Sequence, residues 1–381
     1  MSTRTPASRR YLGVAAIGAA LALGVAACGS SDDSSSSGAA SSSGTSSSTT
    51  VSKAQAVMAE GIKRPSDITV TTPIDKPVPS GKKLVFVSCG TSSCQLQGSI
   101  IEKAAAHLGW TTNTIATDGS PTQIQAGFTT ALRTGADAVI INAVTREAIA
   151  KQLAQANAKG VAYVGCCSTD QVGDGYLYNT STPDQNARIG KYLAAAIGAD
   201  AKGKANTLYV DIPAFTILAS LGDALKKDYS AYCSSCGFEK LDVPLPQLAN
   251  APNLIVSYLR SHPDVNYVAL SVTDALGTGL PAALKAAGLT KVKIVGQGAD
   301  PTAYQELAQG QILALVPFDY FSVDYQMIDA LARHFAGVPI QLTPPSRWLL
   351  TKDNLPSDYT KLFPVVPDYE TKFLKLWGKQ A

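Results

Sequence analysis

From about residue 84 to residue 336, apolar β-branched runs of a few residues alternate with longer stretches whose apolar positions recur every three or four residues. The short runs read as strands and the longer stretches as amphipathic helices. The first pair sets the pattern. Residues 84–88 are Leu-Val-Phe-Val-Ser, too short for a helix, and 95–108 places Leu96, Ile100, Ala104 and Leu108 at helical spacing. The same reading predicts strands at 112–116, 138–142 and 161–164 and helices at 121–133 and 146–158. After a connector at 176–179 and a helix at 183–197, a second series follows. Its strands fall at 206–211, 239–243, 266–271, 292–296 and 313–317, and its helices at 216–229, 250–260, 274–287, 301–309 and 322–336. Gly109, Gly135 and Gly160 stand where the first three helices should stop, since a left-handed residue ends a helix without steric cost when it is glycine. Strands alternating with helices predict an α/β fold of parallel sheets covered on both faces. Two series of similar size predict two doubly wound lobes with a cleft between them, and ligands of such sheets sit beyond the carboxyl ends of the strands.

Composition adds what lies outside this pattern. With 381 residues, 45% of them hydrophobic, the chain has material for two cores. The formal charge of +3 rests on Arg4, Arg9 and Arg10; without residues 1–27 the chain holds 29 basic and 29 acidic residues, which gives no electrostatic case for nucleic acid or an anionic membrane surface. Those first residues combine Arg9-Arg10, an apolar run at 11–23 and Val25-Ala-Ala-Cys28. The run is shorter than the ~20 residues of a spanning helix, so 1–27 reads as a lipoprotein signal peptide that leaves a lipidated Cys28, and a transmembrane anchor is the lesser reading. Ser8-Arg9-Arg10 leaves Sec or twin-arginine export open. Residues 28–52 are nearly all Ser, Gly, Ala and Thr and are expected to form a flexible tether. A short helix at 53–62 and Pro65, Pro73, Pro77 and Pro79 make a lead-in at 53–81. A tail at 341–381 carries Trp348, Tyr359, Phe363, Tyr369, Phe373 and Trp377 and is expected to pack on the lobes, with Phe373 and Trp377 one helical turn apart.

Six cysteines remain after Cys28. In an exported chain an even number favours disulfides. Local pairing gives Cys89 with Cys94, Cys166 with Cys167 and Cys233 with Cys236. The vicinal pair closes a small ring, and crossing of Cys166 and Cys167 to Cys89 and Cys94 is the alternative. Cys233-Ser-Ser-Cys236 has metal-hairpin spacing but lacks a second Cys pair or a His pair, so no metal is expected. A redox motif would open a helix, whereas this one follows a helix end at 226–232 and precedes Gly237.

From Leu84 to Gly337 the chain resembles the type I periplasmic binding proteins of ABC importers, in the ribose-binding-like sugar branch. The resemblance is carried by 84–88 with the helix ending Ala-His-Leu-Gly-Trp110, by 136–142 (Ala-Asp-Ala-Val-Ile-Ile-Asn), by 158–164 (Ala-Lys-Gly-Val-Ala-Tyr-Val), by 273–288 and by Ile294-Val-Gly296 up to Pro301. It implies a three-crossing hinge near Asn179, Gly298 and Phe318, a first lobe at 82–179 and 319–340, and a second at 180–318. It also marks where this chain departs from sugar binders. Thr91, Ser92, Ser93 and Cys94 stand where Asn and stacking Phe are common, Gly165-Cys166-Cys167 replaces an Asp-Arg pair, and Ala214-Phe215-Thr216 replaces an Arg. Thr273 replaces an Asn before the acidic Asp274, and Phe318 stands in place of a Gln.

Losing a hydrogen-bond partner in a dry pocket costs about 1–3 kcal/mol, so a ribose-like pentose is disfavoured. A less polar ligand is expected, with apolar faces from Phe215, Phe318, Tyr320 and the cysteines Cys94, Cys166 and Cys167. Hydrogen bonds are expected from Gln95, Asn142, Thr273, Asp274, Gln297 and Asp300, with Ser88, Thr91 and Asn179 at strand ends facing the same cleft.

The implied function is capture of a small molecule by a monomeric, lipid-anchored extracytoplasmic protein of Gram-positive or actinobacterial type, which delivers it to an ABC permease without cofactor or catalysis. The alternative is a lipid-anchored sensor or adhesive module of the same fold. Enzyme readings are weaker. Gly277-Thr-Gly279-Leu-Pro-Ala282 with Asp300 fits a loose dinucleotide fingerprint, but inside a predicted helix and late in the chain. No Gly-x-Ser-x-Gly elbow or strand-end His supplies a hydrolase.

Overall fold

The structure is a computed structural model that describes residues 43–380. The signal peptide, Cys28 and the tether up to residue 42 lie outside the described residues. The chain opens with α1 (Ser43–Gly61), followed by β1 (Lys83–Val87), α2 (Ser92–Ala106), β2 (Thr111–Ile115), α3 (Pro121–Arg133), β3 (Ala138–Ile141), α4 (Ala150–Ala158), β4 (Ala162–Cys166) and β5 (Tyr176–Thr180). The second series is α5 (Pro183–Ala201), β6 (Asn206–Asp211), α6 (Thr216–Tyr232), β7 (Gly237–Asp242), α7 (Ala251–Ser261), β8 (Tyr267–Leu270), α8 (Thr273–Leu276), α9 (Leu280–Ala286), β9 (Lys293–Gln297), α10 (Pro301–Ala308) and β10 (Ala314–Val316). It closes with α11 (Tyr320–Ala336) and α12 (Tyr369–Leu376).

The strands form two five-stranded sheets, ordered β2-β1-β3-β4-β5 and β10-β9-β8-β6-β7. Every pairing within them is parallel. Alternate residues of each strand point to opposite faces, and the cores record it. In the first sheet Phe86, Ile140 and Val164 share a core with Ile101 and Ala104 of α2 and Ile328 of α11. Val85, Val87, Val139 and Ile141 share another with Phe128 of α3 and Leu153 of α4. The second sheet divides in the same way, with Val210, Val268 and Ile294 facing α7, α9 and α10. Tyr209, Ala269 and Val295 face α5 and α6. Buried on both faces, these strands read as unbroken apolar runs, which is why periodicity found them.

Four expectations change. Residues 176–180 are a fifth strand rather than a connector, pairing with β4 from Tyr163↔Tyr176 to Cys166↔Thr180 with a register shift that hides the usual alternation. The helix expected at 274–287 is broken into α8 and α9. Gly279 sits at φ +79°, a left-handed conformation that interrupts the helix, and Pro281 restarts it in its first turn. The dinucleotide-like residues therefore occupy a break between two helices, not the strand-to-helix turn that would hold a pyrophosphate. Helix α1 begins at Ser43, inside the stretch that composition assigns to the tether. Ala54 on it is fully buried in the core built on α5 and α6, and tertiary packing of this kind overrides weak propensity.

The crossings are corrected at one place. The chain leaves the first sheet after β5 and returns from the second between β10 and α11, close to Asn179 and Phe318 as expected. Gly298, however, lies in the β9–α10 loop, within the second lobe. The third passage comes after α11, because Leu350 pairs with Leu315 of β10. No helix among the described residues is long and apolar enough to cross a membrane.

Candidate ligand cleft

The carboxyl ends of both sheets converge on one cavity of about 80 Å³. On the first-lobe side, α2 starts at Ser92, three residues earlier than periodicity indicated, because Thr91 caps it. The Thr91 Oγ1 accepts a hydrogen bond from the Cys94 amide at 3.4 Å. Cys94 is joined to Cys89, so the loop read as a ligand loop is in part a stapled first turn of helix. The other pairs are Cys166 with Cys167 and Cys233 with Cys236, local in every case. Cys89, Cys94 and Cys167 all line the cavity, which brings two disulfides to its first-lobe wall. Asn142 follows β3. Its Oδ1 accepts from the Cys166 amide at 3.2 Å, which turns its Nδ2 toward the cavity, buried and without a protein partner.

The second lobe supplies Ile212 after β6, Phe215, Ile217 and Leu218 at the start of α6, and Val272 and Ala275 around α8. It also supplies Gln297 at the end of β9, whose Oε1 is buried without a partner. A Cβ at Gly298 would lie 1.9 Å from the Thr273 Oγ1, so only glycine lets β9 end this close to α8. Phe318 and Tyr320 enter from the second crossing, their rings 4.9 Å apart. Of the residues singled out in the sequence, Thr91, Cys94, Asn142, Cys167, Phe215, Gln297, Phe318 and Tyr320 thus line one cavity.

The others lie elsewhere. Gln95 is exposed, and Gln97, two residues on and on the opposite side of α2, lines the cavity instead. Ser88 is buried with its carbonyl accepting from Thr117, and Cys166 is fully buried behind Cys167. The Asn179 amide donates to the Ser168 carbonyl and hydroxyl and to the Asp170 carbonyl, fixing the loop between β4 and β5. Asp300 caps α10 through the Ala303 amide at 2.8 Å and accepts from Thr273 at 3.2 Å. Asp274 stands at the mouth, where Ser92 of the first lobe donates to its Oδ2 at 3.3 Å; burial, and then the nearby Asp300 carboxylate, raise its pKa. That hydrogen bond joins the two lobes across the cleft.

Sequence reasoning missed Gln97, Asn186 and Ala143. Gln97 and Asn186 sit on helices whose apolar spacing drew attention to their neighbours, and each holds a charged residue behind it. Gln97 donates to the Asp324 Oδ1 at 3.0 Å, and Asn186 accepts from Arg347 at 2.8 Å. Asp324 is fully buried and its pKa is raised by desolvation. Arg347, also buried, has its pKa lowered to about 10 by desolvation, which the charge of Asp319 opposes. Ala143 follows Asn142 at φ +61°, a left-handed turn that no pattern of apolar residues reveals.

The family model described as a periplasmic binding protein domain matches residues 90–338. No curated protein matches the chain in sequence. Among solved structures, the 5-methylthioribose transporter solute binding protein of Thermotoga lettingae, in complex with 5-methylthioribose, superposes with a TM-score of 0.65 at 18% identity, covering 81% of this chain and 96% of that one. An ABC sugar transporter subunit from Rhodobacter sphaeroides gives 0.64 at 20% identity over 72% of this chain and 99% of its own. An ABC transporter solute binding protein from Agrobacterium vitis with bound allitol gives 0.64 at 21% over 72% and 97%. At such identities the likeness speaks for the fold.

Proposed function

The chain belongs to the periplasmic binding protein domain family, and from that premise we propose that it is an extracytoplasmic solute-binding lipoprotein, tethered through Cys28, that captures a small molecule between its lobes and delivers it to an ABC permease. One observation carries the reading: a cavity built from the strand ends of both sheets, in a chain that passes between the lobes after β5, after β10 and again after α11. A ligand there touches both lobes only when they are closed, so binding favours closure by the contacts that closure adds. The cavity wall, with Phe215, Phe318 and two disulfides, suits a ligand less polar than a free sugar. The relative that holds 5-methylthioribose, a sugar carrying a thioether, is in keeping with this.

The test is small-angle scattering on the purified protein with any compound that raises its melting temperature. A smaller radius of gyration with the compound is expected. A compound that stabilises the protein and leaves the radius unchanged removes the closure mechanism.

A further inference from the structure

The cavity wall carries no ionisable carboxylate, ammonium, guanidinium or imidazole among its lining residues. This is not for want of ionisable groups nearby. Asp324 lies directly behind Gln97, with its Oδ1 taken by the Gln97 amide and its Oδ2 unpartnered, and Arg347 lies behind Asn186 and Phe318. In both places an amide side chain stands between the ionisable group and the cavity. Asn186 is also spent: its Oδ1 accepts from Arg347 and its Nδ2 donates to the Ser181 carbonyl at 3.1 Å. Thr91 and Ser93 are occupied with each other at 3.2 Å, in the cap of α2. Three buried amides are left with unspent atoms, Asn142 and Gln97 on the first lobe and Gln297 on the second; the Gln97 Nε2 is given to Asp324, and its Oε1 is free to accept.

Asn142 offers a donor whose direction is fixed, because its oxygen is held by the Cys166 amide. The Gln297 side chain has no hydrogen-bond partner, so its amide can turn either end to a ligand. An ion entering this cavity would lose its water and meet no opposite charge, a cost far above that of burying a neutral group. A polyol would leave most of its hydroxyls facing Ile212, Ile217, Leu218 and Val272. The space is small: about 80 Å³, where a dry cavity of ~150 Å³ accepts benzene.

We infer that the cleft takes an uncharged, mostly apolar ligand whose buried part is smaller than benzene, presenting a hydrogen-bond acceptor to Asn142 and a second polar atom to Gln297. This rests on the reading of the cleft as the ligand site. The test uses four cyclopentyl compounds, cyclopentanone, cyclopentanol, cyclopentanecarboxylate and cyclopentylammonium, together with ribose, measured by calorimetry and thermal shift on the full folded protein. The ketone and the alcohol are expected to bind at least tenfold more tightly than the two ions and ribose. Asn142→Asp keeps an acceptor for the Cys166 amide while removing the donor, and is expected to weaken the ketone at least tenfold with the melting temperature of the free protein as a check on folding.

Equal binding of an ion or of ribose overturns the ligand class, as does silence from the whole set or an unchanged affinity in a folded Asn142→Asp. An ion or ribose that binds and compacts the protein leaves capture between lobes standing while the ligand class falls. A ketone that binds without compaction does the reverse.

Discussion

Glu306 stands half-buried on α10. Burial, and then the negative charge of Asp300, raise its carboxyl from 4.5 to about 7. The folded pKa is the higher one, so the folded state holds a proton that the unfolded chain has already released. Its contribution is therefore full below about pH 4.5 and is lost as pH rises toward 7. Asp274, Asp300 and Asp319 are raised by burial and share this sign. His334, lowered by burial and then by Lys82, has the opposite one, its contribution being lost as pH falls through its folded value. The melting temperature is expected to drop from pH 5 to pH 7, and Glu306→Gln to flatten part of that drop; a variant with the parent slope would sink the assignment.

At this scale the sequence was legible where a polar residue ends an apolar run. Asn142 and Gln297 were found that way, and both face the cavity. Asn179 and Asp300 occupy equivalent places and are consumed by local structure, one fixing a loop and the other capping a helix. Asn and Asp serve turns and caps as readily as ligands, and spacing does not separate the two uses.

Among the elements, the tail shows most clearly what pattern alone conveys. Its aromatic residues announced packing, and α12 lies where Phe373 and Trp377 are one turn apart. What they bridge was hidden until both lobes were in place. Phe363 stacks on Tyr304 of α10 in the second lobe, centroids 4.5 Å apart. Tyr369, Phe373 and Trp377 surround Tyr325 of α11 against the first lobe at 5.0, 5.5 and 5.7 Å. Trp377 also donates to the Asp329 Oδ1 at 3.0 Å, beside the buried Arg333–Asp329 pair. Trp377→Ala removes a ring that is only 4% exposed together with that hydrogen bond, and a loss of about 3–5 kcal/mol is expected in urea unfolding. Trp377→Phe, which keeps most of the packing, is expected to lose less, and equal losses would show that packing is not what the residue contributes. Elements defined by burial on two faces were legible, whereas β5 and the α8–α9 break depend on a register shift and a left-handed glycine, which leave no periodic trace.

For the whole molecule the question is what holds the two lobes at one angle, and Arg347 lies where the passages between them meet. It stands on the third passage, donates to the Ser181 Oγ at 3.0 Å on the first, and lies 5.5 Å from the centroid of the Phe318 ring on the second. It also donates to Asn186 at the start of the second lobe, at 2.8 Å. A buried guanidinium is a poor source of net stability, since desolvation offsets much of what its contacts contribute, and an apolar replacement of similar volume is often neutral. What an apolar side chain cannot reproduce is a planar fork whose Nη2 donates to two oxygens while its Nη1 donates to the Ser346 carbonyl at 3.4 Å, and a lysine ammonium reproduces it only in part. The lobe angle, rather than the unfolding free energy, is therefore the quantity that should respond. Arg347→Met is expected to fold, and to give a larger radius of gyration without ligand than the parent under the same conditions. Arg347→Lys should fall between the two, since it keeps the charge and loses the fork. If both variants scatter as the parent does, the crossings are held by their own backbone and by the straddling tail, and Arg347 is a buried cation with no part in setting the cleft.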